Sequence, residues 1–202
     1  FWPRACPFCG ALGESACVLC LLPCLEPPMP MDLGSLPLWS GGEHDGVLRE
    51  LVLALKYGGD RSLGVAMGRA LGRIFPRPDA DLLVPVPLHR GSERAYNQSL
   101  ALAAGAANEW GIPAKEGLVW SERREEQTSL GQEERKMMPR DVFSPVTKSV
   151  AGKRIVLVDD VATTGTTLER AAETVRRGGG DPVLALSWTC APRTKERMRG
   201  VR

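Results

Sequence analysis

The sequence predicts an α/β fold in which helices flank a mostly parallel sheet, and three observations support this prediction. Four consecutive apolar residues at 155–158 have the pattern of a strand buried on both faces. A second apolar strand, at 81–88, leads through a polar loop into a helix rich in alanine and leucine. A third strand, at 183–188, follows three consecutive glycines that end the preceding helix. Strands that alternate with helices are typical of parallel sheets.

The composition limits the size and the class of the protein. A chain of 202 residues accommodates one α/β domain and a small additional module. The formal net charge of +2 gives no argument for binding nucleic acid through overall charge. No apolar run approaches the length of a membrane span, and proline, arginine and cysteine interrupt the first residues, unlike a signal peptide. We therefore expect a cytoplasmic protein without membrane insertion.

Cysteines are concentrated near the start of the chain, where Cys6 and Cys9 form one C-x-x-C pair and Cys17 and Cys20 form a second. Two such pairs are able to place four thiolates tetrahedrally around one Zn²⁺. Because four thiolates leave no open position for water, the expected Zn²⁺ is structural. Two alternatives remain: a disulfide framework, which a reducing cytosol disfavours, and a ligand set in which Cys24 replaces Cys20.

The composition also predicts how the chain is divided. We assign residues 1–27 to a zinc ribbon, the proline- and glycine-rich residues 28–43 to a linker anchored by Trp39, and residues 44–202 to the α/β domain. Apolar stripes of helical period between residues 45 and 75 predict two helices. At the end of the first, Lys56 either reaches a phosphate or complements the helix dipole.

The segment that follows the strand at 155–158 predicts an anion site. Asp159 and Asp160 stand where this strand is expected to end, and a Thr/Gly-rich turn leads to a helix with an expected capping box of Thr166 and Glu169. Backbone N–H groups in such a turn and the helix dipole favour a phosphate, whereas the carboxylates need ribose hydroxyls or a divalent metal. The alternatives are a solvated acidic strand end and a nucleotide-hydrolase strand, but the sequence lacks the G-x-x-x-x-G-K-[ST] loop that the latter needs.

Two further polar segments belong to the expected site or its surroundings. The loop after the strand at 81–88 contains His89 and Arg90 and is expected at the same sheet edge as Asp159, where it either holds a pyrophosphate or is simply exposed. Residues 121–145 are highly charged and have little periodicity. They form either a lid over the site or a solvated loop.

The segment from 155 to 167 resembles the loop that binds phosphoribosyl pyrophosphate (PRPP) in type I phosphoribosyltransferases. The resemblance implies that the acidic pair meets the ribose 2′ and 3′ hydroxyls and that the loop at 163–167 holds the 5′-phosphate. The PRPP-binding residues that it implies are Asp159, Asp160, Val161, Ala162, Thr163, Thr164, Gly165, Thr166 and Thr167.

Other segments resemble the ComF family, which are phosphoribosyltransferase-like proteins associated with bacterial competence that commonly carry an N-terminal zinc ribbon. Residues 84–88 and 94–98 are similar to its V-P-V-P-L and R-G-F-N-Q segments, although Ala95 replaces the usual glycine. Residues 56–60 fit its basic-glycine segment. A further block of that family is matched by Arg124, Gln127, Thr128, Leu130, Arg135 and Phe143, with Met138 where an asparagine is common.

These resemblances imply the type I phosphoribosyltransferase fold and a Mg²⁺-dependent displacement of pyrophosphate from PRPP by an unidentified nitrogen acceptor. Thr163 stands where purine-salvage enzymes typically carry an aspartate, which argues against hypoxanthine or guanine as the acceptor. The implied pyrophosphate-binding residues are Leu88, His89, Arg90 and Lys56, and the implied catalytic lid residues are Arg124 and Arg135.

A second function from a different class is also compatible with the sequence. The chain would then bind PRPP or a nucleotide without catalysis, and its zinc ribbon would dock a helicase-like DNA-uptake partner or single-stranded DNA. A second copy of the chain, in a homodimer, is a further expected partner.

Overall fold

A computed structural model describes residues 5–13, 15–26, 31–34, 36–89, 91–92, 94–121 and 141–191. The described α-helices are α1 (Val18–Leu21), α2 (Gly46–Tyr57), α3 (Arg61–Ile74), α4 (Gln98–Trp110), α5 (Thr147–Val150) and α6 (Thr166–Arg177), and a 3-10 helix covers Leu22–Cys24. The described strands are β1 (Met31–Asp32), β2 (Pro37–Ser40), β3 (Leu82–Pro85), β4 (Leu118–Trp120), β5 (Phe143–Pro145), β6 (Arg154–Ala162) and β7 (Asp181–Cys190).

Five strands form the main sheet, in the order β1-β2-β7-β6-β3. Strands β2, β7, β6 and β3 are mutually parallel, and β1 pairs with β2 in the antiparallel direction. Strands β4 and β5 form a separate antiparallel pair. The predicted α/β class and mostly parallel sheet are therefore confirmed, and β6 is a central strand.

Strand β6 divides the apolar core into two layers because its side chains alternate between the two faces of the sheet. Val156 and Val158 pack with α2, α3 and α4, whereas Ile155 and Leu157 pack with α6. All four side chains are fully buried. Each such burial contributes roughly 1.5–3 kcal/mol, so the strand that carries the acidic pair is held from both sides.

Helices α3 and α4 approach each other closely through glycines. A Cβ atom at Gly68 would lie 2.0 Å from the carbonyl oxygen of Leu102, and one at Gly105 would lie 2.1 Å from that of Val65. No side chain fits at these two points, so glycine permits the contact. The contact fixes α4, whose N-terminus lies at the carboxyl edge of the sheet.

Two local expectations differ from the structure. Strand β6 continues to Ala162, so the acidic pair belongs to the strand instead of following it. The predicted capping box is wrong, because α6 begins after Gly165, which has a φ of +83° and acts as the N-cap. Leu33 packs against Gly165, where a Cβ atom would lie 2.6 Å from Leu33 Cδ2.

The segment expected to be a linker contributes to the sheet. Residues 37–40 form β2, which pairs with β7, and the Trp39 ring stacks on Phe75 at 5.1 Å between ring centroids. The extended backbone that prolines favour also suits a strand, and the β7 edge supplies the partner. Among the described helices, none has the length and apolar character needed to cross a membrane.

Candidate functional site

The acidic pair is held in place by side chains from two helices. Asp159 Oδ1 accepts hydrogen bonds from the Ser99 hydroxyl at 3.0 Å and from the Asp160 backbone N–H at 2.9 Å. Asp160 is buried, and its Oδ2 forms an ion pair with Lys56 Nζ at 3.1 Å. Helices α4 and α2 therefore fix both carboxylates at the carboxyl end of β6.

The surroundings of the pair shift two pKa values. Burial, followed by the neighbouring Asp160 charge, raises the pKa of Asp159 to about 7, against the opposing hydrogen bonds from the Asp160 N–H and Ser99. Burial and the nearby Lys56 and Arg49 charges lower the pKa of His44, whose Nδ1 lies 2.9 Å from Thr189 Oγ1. A ligand hydroxyl that donates to Asp159 would stabilise the carboxylate form and lower this raised pKa.

The loop that follows β6 turns directly into the N-terminus of α6. Thr164 Oγ1 accepts from the Thr166 backbone N–H at 3.3 Å and lies 2.9 Å from Thr166 Oγ1. Thr163 and Thr164 are exposed, so their hydroxyls are accessible to a ligand. Backbone N–H groups and hydroxyls at a helix N-terminus suit a phosphate. Val161 and Ala162 are the last two residues of β6, whereas the turn and first helical residues are Thr163, Thr164, Gly165, Thr166 and Thr167.

A second loop, over residues 86–97, leaves β3 beside β6 and borders a cavity of ≈ 290 Å³. The His89 ring lies 4.8 Å from the Trp120 ring, and the Trp120 indole N–H donates to the Pro87 carbonyl at 3.1 Å. Trp120 also contacts Phe143 at 5.0 Å between ring centroids. The small β4–β5 sheet thus supports this loop. Site residues that line the cavity are Leu88, His89, Gln98, Ser99, Asp159 and Asp160.

The structure brings most of the expected site residues to one edge of the sheet. Leu88 and His89 share the cavity with the acidic pair, as the position of the two strands predicts. Lys56 reaches this edge too, but its ammonium group pairs with Asp160. The sequence had suggested a phosphate or the helix dipole as its partner. The expected site residues Arg90, Arg124 and Arg135 lie outside the described residues, so their assigned roles stay predictions.

Several site residues were not singled out individually from the sequence. Asn97 caps α4 by accepting from the Leu100 N–H at 3.3 Å, and its amide group donates to the Val86 carbonyl at 3.0 Å. An asparagine before an alanine-rich stripe is a recognisable cap signal. Gln98 and Trp120 gave no such signal, because their burial and contacts depend on distant segments.

A second candidate site is the N-terminal cysteine cluster. The sulfur atoms of Cys6, Cys9, Cys17 and Cys20 all lie within 4.8 Å of one another. Cys24 instead directs its thiol at the Cys20 carbonyl, at 3.5 Å, and none of the chain's cysteines forms a disulfide. Four converging thiols match the donor set of structural Zn²⁺.

One thiol of the cluster is predisposed to be a thiolate. Burial alone would raise the pKa of Cys6, but backbone N–H groups of Cys17, Phe8 and Cys9 outweigh it and lower the value to about 6. A cation at this point would therefore meet a sulfur that is already largely ionised at neutral pH.

Comparison with known proteins identifies relatives of this chain. The family model described as "Phosphoribosyl transferase domain" matches residues 96–196, which is half of the chain. The amidophosphoribosyltransferase of Methanocaldococcus jannaschii is 35% identical over 119 residues, covering 58% of this chain and 23% of that protein. The transcriptional regulator GfcR of Thermoplasma acidophilum is 51% identical over 45 residues, covering 22% of this chain and 23% of that protein.

Among solved structures, the glutamine PRPP amidotransferase from B. subtilis, complexed with ADP and GMP, has a TM-score of 0.48 and 28% identity. That match covers 63% of this chain and 26% of the other. The chain thus spans about a quarter of the length of the curated relatives that it matches.

Proposed function

Because this chain belongs to the phosphoribosyl transferase domain family, we propose that it binds PRPP with Mg²⁺ and transfers the phosphoribosyl group to a nitrogen acceptor. In this reaction the bond between C1′ and pyrophosphate breaks, a C1′–N bond forms, and the nitrogen loses a proton. The observation that carries the proposal is the acidic pair at the end of β6, followed at once by the Thr/Gly loop that begins α6.

The proposed roles follow from the charge that develops in the reaction. Asp159 and Asp160 accept hydrogen bonds from the ribose hydroxyls, and the loop at 163–167 holds the 5′-phosphate. Leu88, His89 and Lys56 are proposed to contact the departing pyrophosphate, and Arg90, Arg124 and Arg135 are proposed to join them. Since C1′ becomes oxocarbenium-like, the protein accelerates the reaction by positioning and charge stabilisation without covalent catalysis.

Ammonia or a small amine is the acceptor that we propose to test first. The relative from M. jannaschii is named an amidophosphoribosyltransferase. Thr163 at the position of the purine-salvage aspartate agrees with this choice, because an exposed threonine offers no carboxylate to a purine ring.

Calorimetric titration of PRPP, with and without Mg²⁺, tests the binding step. We expect Mg²⁺-dependent binding, followed by pyrophosphate release when ammonium is supplied. Ribose 5-phosphate is the matched control, because it has the ribose and the 5′-phosphate but no leaving group. Absence of PRPP binding to the folded protein would refute the proposal.

We also propose that residues 1–27 form a zinc ribbon of the kind found in the ComF family. Residues 28–43 join it to the domain at 44–202, and residues 37–40 of this segment are part of that domain's sheet as β2. Val18 and Leu21 of α1 are buried in the core that includes α3, so the ribbon would be fixed to that domain. Metal analysis of the purified chain should find about one Zn²⁺ per molecule, and Cys9→Ser should lose it. Near-zero zinc in the unmodified chain would refute the ribbon assignment.

A second candidate is a module that binds PRPP without turnover and docks a DNA-uptake partner or single-stranded DNA through the ribbon. Two observations favour it: the segment similar to a transcriptional regulator, and the exposed Phe8, Leu12 and Leu19 side chains of the ribbon. PRPP binding without pyrophosphate release, together with DNA affinity that grows with strand length, would support this candidate. Leu19→Asp should then weaken DNA binding but not PRPP binding, and turnover with ammonium would argue for the enzyme.

A further inference from the structure

Gln98, the first residue of α4, is a buried polar residue at the wall of the cavity. Its side chain is only 2% exposed, and Nε2 has no hydrogen-bond partner within the described part of the chain. Its Oε1 accepts from Arg94 Nη1 at 3.4 Å. Because a guanidinium group only donates, Oε1 must face Arg94, and the amide N–H groups must therefore point elsewhere.

The unpartnered amide is costly in the free protein. A buried donor without an acceptor loses its hydration and gains nothing in return, which is why such groups are rare in native structures. The adjacent residues of the chain do not take it up, since neither Asn97 nor Ser99 accepts a hydrogen bond from Nε2. Gln98 lines the cavity, so a small rotation of its buried amide would present Nε2 to a ligand there.

Two kinds of groups line the cavity. The carboxylates of Asp159 and Asp160 suit hydroxyl donors, and the loop with His89 contributes further lining residues. An amide N–H needs an acceptor, and the N-terminus of α4 and the Arg94 guanidinium both favour a negatively charged one. If the ribose hydroxyls of PRPP contact the carboxylates and the 5′-phosphate contacts the loop at 163–167, the pyrophosphate is the group that supplies negatively charged oxygens to this amide.

We propose that Gln98 donates a hydrogen bond from Nε2 to a pyrophosphate oxygen of PRPP and so distinguishes PRPP from ribose 5-phosphate. This inference rests on the proposed function and extends it to a residue outside the strand ends and the Thr/Gly loop. It also predicts that removal of this amide weakens PRPP binding but stabilises the free protein, because the amide is unpaired in the free protein and paired in the complex.

The test compares Gln98→Met, which keeps the length of the side chain but removes the donor, with Gln98→Glu, which replaces the donor by a carboxylate. Calorimetry on the full chain measures the affinities of PRPP, inorganic pyrophosphate and ribose 5-phosphate, each with Mg²⁺. We expect Gln98→Met to weaken the binding of PRPP and of pyrophosphate about tenfold, or about 1.4 kcal/mol, and to change the affinity for ribose 5-phosphate by no more than about twofold. Gln98→Glu should weaken the binding of PRPP and pyrophosphate further, because its carboxylate repels their negative charge.

Thermal unfolding of the ligand-free protein supplies the second readout. Gln98→Met should raise the melting temperature, because it removes the unpaired donor, whereas Asn108→Ala on the exposed side of α4 should change none of the affinities. Unchanged PRPP affinity in both Gln98 variants, or an equal loss for ribose 5-phosphate, would overturn the inference while the proposed function stands. If the unmodified chain binds none of the three ligands, the proposed function fails first.

Discussion

The two loops at the carboxyl edge of the sheet are built in different ways. We use the name β6 loop for residues 159–167, which comprise the end of β6, the turn and the start of α6. Here the carboxylates, the turn and the helix N-terminus follow one another along the chain. The β3 loop, residues 86–97, depends on other segments, since the Trp120 indole holds the Pro87 carbonyl. Its Tyr96 hydroxyl donates to the Leu55 and Asp60 carbonyls, at 2.8 and 3.0 Å. The first loop is encoded by residue order, whereas the second is assembled by packing.

The difference is smaller for electrostatics than for backbone shape. The carboxylates of the β6 loop come from adjacent residues, yet Ser99 of α4 and Lys56 of α2 hold them. A contiguous motif therefore specifies where the charges are, and distant helices decide how they are oriented and neutralised.

Replacing both carboxylates of the β6 loop should have the largest effect on binding. We expect Asp159→Asn together with Asp160→Asn to lower PRPP affinity by about 4 kcal/mol, because each carboxylate is proposed to accept a charge-assisted hydrogen bond from ribose. Calorimetric titration measures the loss, and circular dichroism checks that the fold is retained. Asp181→Asn, at the exposed start of β7, is the control. Equal affinity of the double variant and the control would contradict the assigned role.

Gly68→Ala should show how far the β3 loop depends on helix packing. The new Cβ would lie 2.0 Å from the Leu102 carbonyl oxygen, so α3 and α4 must separate. We expect a loss of about 3 kcal/mol in the free energy of unfolding, measured by urea denaturation. Gly72→Ala is the comparison on α3, and its loss should be smaller, because its Cβ would lie 2.8 Å from Glu109 Cβ and would meet no carbonyl oxygen.

Hydrogen exchange sharpens the same comparison. In Gly68→Ala, amides in the first turn of α4 should exchange faster, while those of α6 should stay protected, because α6 packs on the opposite face of the sheet. Equal acceleration in both helices would show that the two loops are stabilised as one unit.

The features that could be predicted from the sequence follow the same division between local residue order and long-range packing. The strand at 155–158, the acidic pair and the helix after it were recognisable because hydrophobic pattern and residue order are local signals. The capping box failed because Gly165 adopts a positive φ, a turn geometry that the Thr–Glu spacing did not reveal. Strand β2 was missed because its partner β7 lies far along the chain. Gln98 likewise shares its cavity with Asp159 and Asp160, which are distant in the sequence and meet it only in the folded protein.

Lys56→Met should have an intermediate effect, since it leaves Asp160 without its counter-ion. The side chains of the pair are 19% and 12% exposed, so we expect a loss of about 2 kcal/mol in the free energy of unfolding, below the range for fully buried pairs. A double-mutant cycle with Asp160→Asn isolates the pairwise contribution, because the lysine substitution should cost little once the carboxylate is gone. An equal cost in both backgrounds would mean that Lys56 stabilises α2 independently of the β6 loop.

Measured per pH unit, the effect of the proton on Asp159 is the smallest of these. Its pKa is raised to about 7 by burial, so between about pH 4 and pH 7 the folded chain keeps a proton that the unfolded chain has lost. Stability must therefore fall as pH rises through this window, by at most about 1.4 kcal/mol per pH unit, and then level off.

Urea denaturation at pH 5, 6, 7 and 8 tests this sign, using the difference between the unmodified chain and Asp159→Asn. The subtraction removes distant groups such as Cys6, whose lowered pKa contributes stability in the opposite direction. The difference should shift steadily in favour of Asp159→Asn up to about pH 7, because the variant has no proton to lose. A difference that does not change with pH would mean that Ser99 and the Asp160 N–H already hold Asp159 as a carboxylate. The orientation of the β6 loop would then be complete before any ribose binds.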